Sequence, residues 1–406
     1  MAQVDIRFFV EPVEPVTFGP PQSFTAGDAH RSRSQFPPSP ITFQGLVRSQ
    51  LLRGAKPSLD LDDWSDRARR ERADLVGRPE ALPTGWQIQG PHPAHWVADP
   101  DGEGEPVLQP WVMAPPFLLH YRTCPVHARE IVSTHQAMND LGTERPLFGR
   151  LDLGAMISLG GWIGPDNLWF ALAGEGAAPW TAAQWCPEFP PFVHSELQPG
   201  LAIDGRTGSA RHGMLYFLSA LRFNRGSGLL GGLSGILPSP LRRDSLTQGS
   251  GSAGRKGRLV TFRGAGRLHP VWRRILEGRH LPDEVEDGAR FWLLSLTPVR
   301  VGDPPNPHLT AKVPSGVEVE FVTALTGRPI AIGGYEIATG RPRPNRLYAP
   351  GGSTWLIKIS GGTPEERGKA LRQLHDQHPL GPPQEAAFGF GYTLVGLGPA
   401  TTEEGP

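Results

Sequence analysis

Ile6-Arg-Phe-Phe-Val-Glu-Pro-Val-Glu-Pro-Val-Thr-Phe-Gly19 has a counterpart in the last third of the chain, Arg290-Phe-Trp-Leu-Leu-Ser-Leu-Thr-Pro-Val-Arg-Val-Gly302. Each stretch is an apolar strand that runs into a proline and then a glycine. Two copies of one α+β unit are the simplest account of this echo, and chance similarity is the competing one. The sequence therefore predicts an α+β protein with domains at residues 1–286 and 287–406. Insertions are expected at roughly 60–150 and 226–257.

The composition indicates a loop-rich protein. The 406 residues include 51 glycines and 44 prolines, spread over the whole length. No apolar run approaches the roughly 20 residues that a membrane-spanning helix needs, and the first ten residues do not resemble a signal peptide. Cys124 and Cys186 match no metal or redox spacing. We therefore expect a cytoplasmic protein with no membrane contact.

Charge is balanced overall but unevenly distributed. The formal net charge is zero, yet residues 225–279 contain eleven basic and two acidic residues, and residues 29–59 contain five basic residues and no acid. Nearly all of these cations are arginines, whose planar fork stacks on bases and binds phosphates. A GC-rich genome would also favour arginine over lysine, so this bias has two explanations.

One helix start is well marked, in Phe36-Pro-Pro-Ser-Pro-Ile-Thr-Phe-Gln-Gly-Leu-Val-Arg48. Ser39 suits an N-cap and Pro40 suits the first helical position. Gly45 costs about 1 kcal/mol of helix propensity against alanine, which suggests close packing there. Arg48 projects from this helix and is the strongest single candidate for a phosphate contact, with a surface salt bridge as the alternative.

Apolar periodicity and turn residues predict the other secondary-structure elements. We expect a strand at 3–16, a charged helix at 60–74, an irregular insertion at 79–116, strands at 155–163 and 168–173, a hairpin at 201–223, a mobile Gly/Ser-rich segment at 226–257, a strand at 258–262 and a helical turn at 271–277. Near the C-terminus, Ala386-Ala-Phe-Gly-Phe-Gly-Tyr-Thr-Leu-Val-Gly-Leu-Gly398 predicts a glycine-rich loop that enters an apolar strand. Its three aromatic side chains could stack on bases, although such residues are more often in a core.

Several of these segments together resemble a known family. The matching pieces are the opening strand with Glu14-Pro15, Pro38-Ser-Pro-Ile-Thr-Phe-Gln-Gly-Leu-Val-Arg48, Gly200-Leu-Ala-Ile-Asp-Gly-Arg-Thr-Gly-Ser-Ala210, Gly213-Met-Leu-Tyr216, Gly333-Gly-Tyr335, Gly340-Arg-Pro-Arg-Pro344, Tyr348-Ala-Pro-Gly-Gly-Ser-Thr-Trp355 and Phe388-Gly-Phe-Gly-Tyr392. In this order and spacing they resemble the RAMP superfamily of CRISPR-associated RNA-binding proteins. More narrowly, the chain is similar to the third subunit of the Cmr module of type III-B effector complexes.

The resemblance implies a fold and a role. Members have two ferredoxin-like (RRM-like) domains with glycine-rich loops near the RNA path. By resemblance, this chain would hold the 5′ tag of the crRNA and dock onto the large polymerase-like subunit and the adjacent backbone RAMP subunit, without being the catalyst. No cofactor or metal is expected. Gly205 departs from the family pattern, which often has a basic residue there. The stretch 263–267 lacks an expected acid, and 79–116 has no counterpart.

The candidate RNA-binding residues combine cations, donors and glycines that let a backbone approach. They are Arg31, Arg33, Gly45, Arg48, Arg206, Thr207, Arg255, Lys256, Arg263, Gly351, Gly352, Gly389 and Gly391.

The same sequence also raises other classes of function. A metal-independent CRISPR-repeat endoribonuclease of the same superfamily would use a histidine, His30 or His212. A dinucleotide site at 226–231 fits G-x-G-x-x-G but lacks the required helix, so it is excluded. The histidines between 92 and 135 match no zinc spacing. A scaffold that contacts only proteins is the third possibility.

Overall fold

A computed structural model describes the chain apart from residues 1, 20–30, 56–59, 61–62, 64, 103, 117, 122–123, 128–130, 133–146, 149–155, 159, 174–184, 301–306, 337–339 and 399–406. Within 117–159, and at Arg31, His212 and Gly213, it describes the backbone alone.

The described strands, in chain order, are β1 Ala2–Pro12, β2 Arg31–Ser32, β3 Gln87–Val97, β4 Val107–Pro110, β5 Val112–Met113, β6 Leu118–Tyr121, β7 Cys124–His127, β8 Ile131–Val132, β9 Leu147–Phe148, β10 Met156–Ser158, β11 Trp162–Ile163, β12 Trp185–Cys186, β13 Val193–Ile203, β14 Ala210–Phe223, β15 Ser227–Leu237, β16 Gln248–Ala253, β17 Arg258–Gly264, β18 Ala289–Ser295, β19 Val299–Arg300, β20 Val317–Leu325, β21 Ile330–Glu336, β22 Arg341–Ala349, β23 Thr354–Gly361 and β24 Thr393–Leu397. The described helices are α1 Pro40–Gly54, α2 Asp66–Val76, α3 Pro165–Ala173, α4 Asp244–Thr247, α5 Pro270–Leu276, α6 Pro364–Leu374 and α7 Pro383–Ala387, with a 3₁₀ turn at Arg255–Gly257. The fold is mixed α and β with mostly antiparallel strands, as the sequence predicted.

The chain divides into two compact units, each built from three segments. Unit 1 comprises Met1–Trp96, Pro191–Gly266 and Ala331–Leu347, and unit 2 comprises Val97–Pro190, Arg267–Ile330 and Tyr348–Pro406. The main sheet of unit 2 takes all its strands from residues after 287. The single domain boundary expected at 286/287 stays a prediction.

Unit 1 is built on a sheet whose strands follow the order β16-β17-β1-β15-β3. All these pairings are antiparallel. Helix α1 packs on one face, where Phe43 stacks with Phe8 of β1 at 6.0 Å between ring centroids. Ser39 is the N-cap of α1 and accepts from the Thr42 N–H, with Pro40 at the first position, which confirms the predicted helix start.

Strand β15 corrects the expectation of a mobile insertion at 226–257. It pairs with β1 over nine residues and is almost wholly buried. Its glycines are needed for close packing, since a Cβ at Gly231 would lie 2.5 Å from the Phe43 ring and one at Gly228 would lie 2.1 Å from the Val10 carbonyl oxygen. The Gly-rich composition therefore marks a strand crowded on both sides, not a flexible loop.

Strand β3 corrects the expectation of an irregular insertion at 79–116. It pairs with β15 from Gln87 to His95, with a register shift opposite Leu230/Gly232. Pro91 and Pro93 lie in this strand, and the shift near Pro91 is the kind of bulge at which a sheet accommodates proline. Trp86 and Trp111, which suggested irregular structure, are core residues.

A long hairpin of β13 and β14 forms a second sheet of unit 1, with β2 beside β14. The strands pair from Val193/Phe223 to Leu201/Leu215, and then with a shift to Ile203/Ala210. The turn between them spans 204–209, where the sequence predicted it. Leu197, Leu201, Ile203 and Leu215 are each about half exposed or more.

Unit 2 is built on an antiparallel sheet in the order β20-β23-β18-β24. The two echo stretches thus supply strands at equivalent places, because β1 and β18 each have two strand neighbours in the middle of their sheets. Helix α6 packs against this sheet and begins with a capping box between Thr363 and Glu366. Trp355, Ile357 and Leu371 lie in its core.

Helix α3 corrects the expected strand at 168–173. A short apolar run does not distinguish a buried helix from a buried strand by periodicity. Pro165 at the first turn and Asp166 beside it are typical of a helix start, and Leu168 and Leu172 are buried together one turn apart. None of the helices described is long and apolar enough to cross a membrane.

Candidate nucleic-acid interface

Arg48 is engaged inside unit 1. Its Nη1 donates to Gln44 Oε1 at 3.0 Å and its Nη2 donates to the Gly77 carbonyl oxygen at 2.5 Å. Burial, with a smaller contribution from the like charge of Arg343, lowers the Arg48 pKa to about 10, while Glu336 opposes the shift. The guanidinium therefore holds the turn after α2, and it stays charged at neutral pH.

The β21–β22 hairpin also contacts the turn after α2. Arg343 donates through Nη2 to the Pro79 carbonyl oxygen at 2.9 Å and pairs with Glu336 at 2.9 Å. Arg48 and Arg343 thus bind carbonyls two residues apart in the chain. Glu336, which pairs with Arg343, and Glu80 both favour the charged form of Arg48.

Carboxylates neutralise much of the basic stretch 255–267. Arg258 pairs with Glu14 at 2.7 Å, and Arg263 pairs with Glu11 at 2.6 Å. The Glu14 pKa is lowered, first by a hydrogen bond from the Leu259 N–H and then by Arg258. Glu11 also accepts from the Gly226 N–H at 2.7 Å.

Two cations of the stretch occupy the 3₁₀ turn between β16 and β17. Arg255 donates its backbone N–H to Thr17 at 2.8 Å, and its guanidinium lies over Gly19. Lys256 is exposed and has a left-handed backbone, with φ of 63°. Lys256 is therefore presented outward on a constrained turn.

The tip of the β13–β14 hairpin is the most open of the predicted sites. Asp204 organises it by accepting from the N–H groups of Arg206 at 2.8 Å and Thr207 at 3.3 Å. Both residues are exposed. Arg211, which the sequence analysis missed, is also exposed and lies 4.0 Å from Asp204. It follows the quoted Gly200–Ala210 motif directly, and that position was the available signal.

The first predicted cluster lies at the start of unit 1. Arg31 lies in β2, where its backbone pairs in parallel with that of Phe217 in β14. Arg33 is exposed just after it. Among the described residues, and apart from the backbone of α1 itself, no atom lies within 4 Å of a Cβ placed on Gly45, so these residues do not pack closely at this glycine as expected. The open space beside α1 would admit a partner's backbone.

The four predicted C-terminal glycines lie in unit 2, and three of them are closely packed within it. A Cβ on Gly351 would lie 2.8 Å from the Leu296 carbonyl oxygen, and one on Gly352 would lie 2.9 Å from Met113. Gly389 and Gly391 have positive φ, and a Cβ on Gly391 would lie 2.1 Å from the Leu380 carbonyl oxygen. The neighbouring aromatics Phe388, Phe390 and Tyr392 are buried.

The histidines offer no assembled centre in the described part of the chain. His30 lies outside the described residues, and His212 lies in β14 with its side chain undescribed. No group of three or more His, Cys, Asp or Glu side chains among those described is placed to hold a metal ion. His95 instead stacks on Phe192 at 4.5 Å.

Comparison with known protein families identifies the family to which this chain belongs. Residues 8–397 match the family model for CRISPR-associated protein (Cas_Cmr3). This match spans nearly the whole chain, so the protein is CRISPR-associated. It belongs to the Cas_Cmr3 family, and the resemblance seen in the sequence is confirmed.

Two cryo-electron microscopy structures are similar over most of the chain. One is of the type III-B Cmr-beta complex bound to cognate target RNA and AMPPnP, in which a chain is 13% identical with a TM-score of 0.43. The other is of Cmr-beta bound to cognate target RNA, at 12% identity and a TM-score of 0.42. In both, the similarity covers 87% of this chain and 86% of the other. No curated protein matches significantly in sequence.

Proposed function

We propose that this chain is a non-catalytic crRNA-binding subunit of a type III-B CRISPR effector complex. It grips the 5′ tag of the crRNA and docks the large polymerase-like subunit and the adjacent backbone RAMP subunit, in the cytoplasm. Membership of the Cas_Cmr3 family supports this role. The geometric observation that carries it is the hairpin tip at 204–211, which exposes the side chains of Arg206 and Arg211 on a turn that Asp204 orders through backbone amides.

The strand order of each unit supports the proposal of two ferredoxin-like domains. In unit 2, the four sheet strands taken in chain order, β18, β20, β23 and β24, lie in the order fourth-first-third-second. In unit 1, β1, β3, β15 and β17 lie in the same order, with α1 between the first and second strands. This is the arrangement of the split βαβ motif. The order would arise in both units if they descend from one repeat.

The predicted RNA contacts divide by geometry into two groups. Arg33, Gly45, Arg206, Thr207 and Lys256 are exposed or border open space, so we retain them as contacts. The remaining described candidates already bind groups of this chain or pack its backbone, and we propose that they position the interface. They are Arg48, Arg255, Arg263, Gly351, Gly352, Gly389 and Gly391.

The chemistry of the retained set favours the sugar-phosphate backbone. Guanidinium, ammonium, hydroxyl and amide groups all donate to phosphate oxygens. The exposed aromatic platforms that base stacking requires are not supplied by Phe388, Phe390 and Tyr392, because these side chains are buried. We therefore propose a grip that senses the path of the tag more than its bases.

Ultraviolet crosslinking of the assembled particle tests this function. With a photoreactive nucleotide at each tag position in turn, we expect crosslinks to peptides that contain 204–211. Absence of any crosslink between this chain and the tag would instead support a scaffold that contacts only proteins. Incubation of the free subunit with labelled repeat RNA, without metal, should yield no discrete product. Cleavage that His30→Ala or His212→Ala abolishes would contradict the non-catalytic role.

A further inference from the structure

Two histidine side chains and a short backbone bridge close the outer edge of β24. This strand is the last in the order of its sheet, next to β18. The Val395 N–H donates to His375 Nδ1 at 3.0 Å, and His280 Nε2 lies 2.7 Å from the Val395 carbonyl oxygen. Two residues earlier, Thr393 exchanges backbone hydrogen bonds with Asp376 and Gln377. The edge is therefore paired at Thr393 by backbone and at Val395 by two imidazoles.

The contacts of His375 define one protonation state. Its Nε2 lies 2.6 Å from the Ile275 carbonyl oxygen, which can only accept, so Nε2 carries a proton. Its Nδ1 accepts from the Val395 N–H, so Nδ1 carries none. The ring is therefore neutral, and it ties the end of α5 to β24. A proton on Nδ1 would place two donors against each other.

The surroundings disfavour a second proton. His280 lies with its ring 5.4 Å from that of His375, and burial lowers the pKa of both imidazoles, that of His375 to about 4. Arg372 of α6 opposes protonation of both rings by its charge, and its partner Asp283 is already in an ion pair with it.

Further side chains described around the pair are engaged with other groups. Trp169 of α3 meets the His280 ring edge-on at 5.5 Å, and Arg274 of α5 stacks on Trp169 at 4.5 Å. Glu277, which follows α5, pairs with Arg279 at 2.6 Å.

We propose that His280 and His375 form a proton-sensitive closure of the β24 edge. With both rings neutral, the edge is closed and α5 is held against the strand. When Nδ1 of His375 takes a proton, the bond from the Val395 N–H is lost, and this amide then exchanges its proton with water more readily. Val395 is fully buried and His375 nearly so, so the closure holds β24 to the end of α5 within unit 2.

Amide hydrogen exchange of the full chain tests the proposal at Val395. Protection is measured between pH 7 and pH 4, corrected for intrinsic exchange rates, for residues 393–397. We expect Val395 protection to fall by about tenfold or more toward pH 4, while amides of β18 hold theirs. Equal loss throughout the sheet, or no loss at Val395, would overturn the proposal.

Two variants separate the closure from general acid destabilisation. His375→Asn keeps an acceptor oxygen near the position of Nδ1 and cannot be protonated there, so Val395 protection should become independent of pH. His378→Asn is the matched control, because His378 is a second histidine whose pKa burial lowers to about 4 and it binds the Phe390 carbonyl oxygen instead of Val395. Its Val395 profile should match that of the unmodified chain. Loss of the acid response in His378→Asn, or its survival in His375→Asn, would contradict the proposal.

Discussion

Arg48 donates through Nη2 to the carbonyl oxygen of Gly77 at 2.5 Å, across 29 residues of chain. Gly77 is the C-cap of α2, with φ of 82°. The guanidinium therefore binds at a helix C-terminus, where unpaired carbonyls and the helix dipole both favour a cation. One residue thus fixes α1, the end of α2 and the turn that follows.

Arg48→Ala should lower the free energy of unfolding by about 1–3 kcal/mol, because it removes two hydrogen bonds from a charged donor. Denaturant unfolding measures this change. Arg33→Ala is the control, since Arg33 is exposed and should leave stability within about 0.5 kcal/mol of the unmodified chain. A normal unfolding midpoint for Arg48→Ala, together with weakened RNA binding, would return Arg48 to the group of direct contacts.

The sequence predicted elements well where local signals coincide. Ser39 and Pro40 mark the start of α1 because capping and fixed φ act within one turn. The hairpin at 201–223 was predictable because alternation and turn chemistry agree around Asp204. In both cases the deciding interactions lie within a few residues of each other.

The sequence misled where a partner distant in the chain decides the structure. Gly231 looks like loop composition until Phe43, almost 190 residues earlier, is seen to occupy its missing side-chain volume. Glu11, on another strand, pairs with Arg263, and the RNA contact expected of this arginine stays a prediction. Neither pairing leaves a periodic or spacing signal, so composition alone cannot assign these residues.

Gly231→Ala should destabilise the protein by about 1–3 kcal/mol, because the added methyl lies 2.5 Å from the Phe43 ring and 2.9 Å from that of Phe8. Gly45→Ala is the contrasting change, since α1 has open space there and alanine should add up to about 1 kcal/mol. Thermal unfolding compares the two. A stable Gly45→Ala variant that binds tag RNA less tightly would support an RNA approach at this glycine, and unchanged binding would remove it from the set.

Glu11→Ala should destabilise unit 1 by about 1–3 kcal/mol, because the buried carboxylate accepts from the Gly226 N–H and pairs with Arg263. Arg263→Ala should cost less, since this arginine is 56% exposed. Denaturant unfolding of both single variants and the double variant measures their coupling. Equal costs for the two single variants would contradict the assignment of the buried amide bond as the main contribution.

Acid should weaken the fold through His375. Burial lowers its pKa from 6.5 to about 4, so the folded state prefers the neutral ring. Stability from this residue is therefore fully present above pH 6.5 and is lost as the pH falls toward 4. The loss is roughly 3 kcal/mol in the free energy of unfolding. Denaturant unfolding at several pH values should show a shallower slope for His375→Asn, and an identical slope would contradict the assignment.

Exchanging both hairpin-tip arginines for alanine tests the proposed grip most directly. Arg206 and Arg211 are exposed on the tip, so their loss should leave stability unchanged and weaken binding of tag RNA by about tenfold or more. If both neutralise phosphates, the slope of log affinity against log salt should become shallower by about 1.4, at roughly 0.7 per phosphate on a single strand. Arg222→Ala is the matched control, because this arginine is similarly exposed but lies on the stem of the same hairpin, and it pairs with Glu196 at 2.6 Å as Arg211 pairs with Asp204 at 4.0 Å. It should change neither affinity nor slope. An equal effect of Arg222→Ala would mean that the net charge of the hairpin, and not its tip, attracts the RNA.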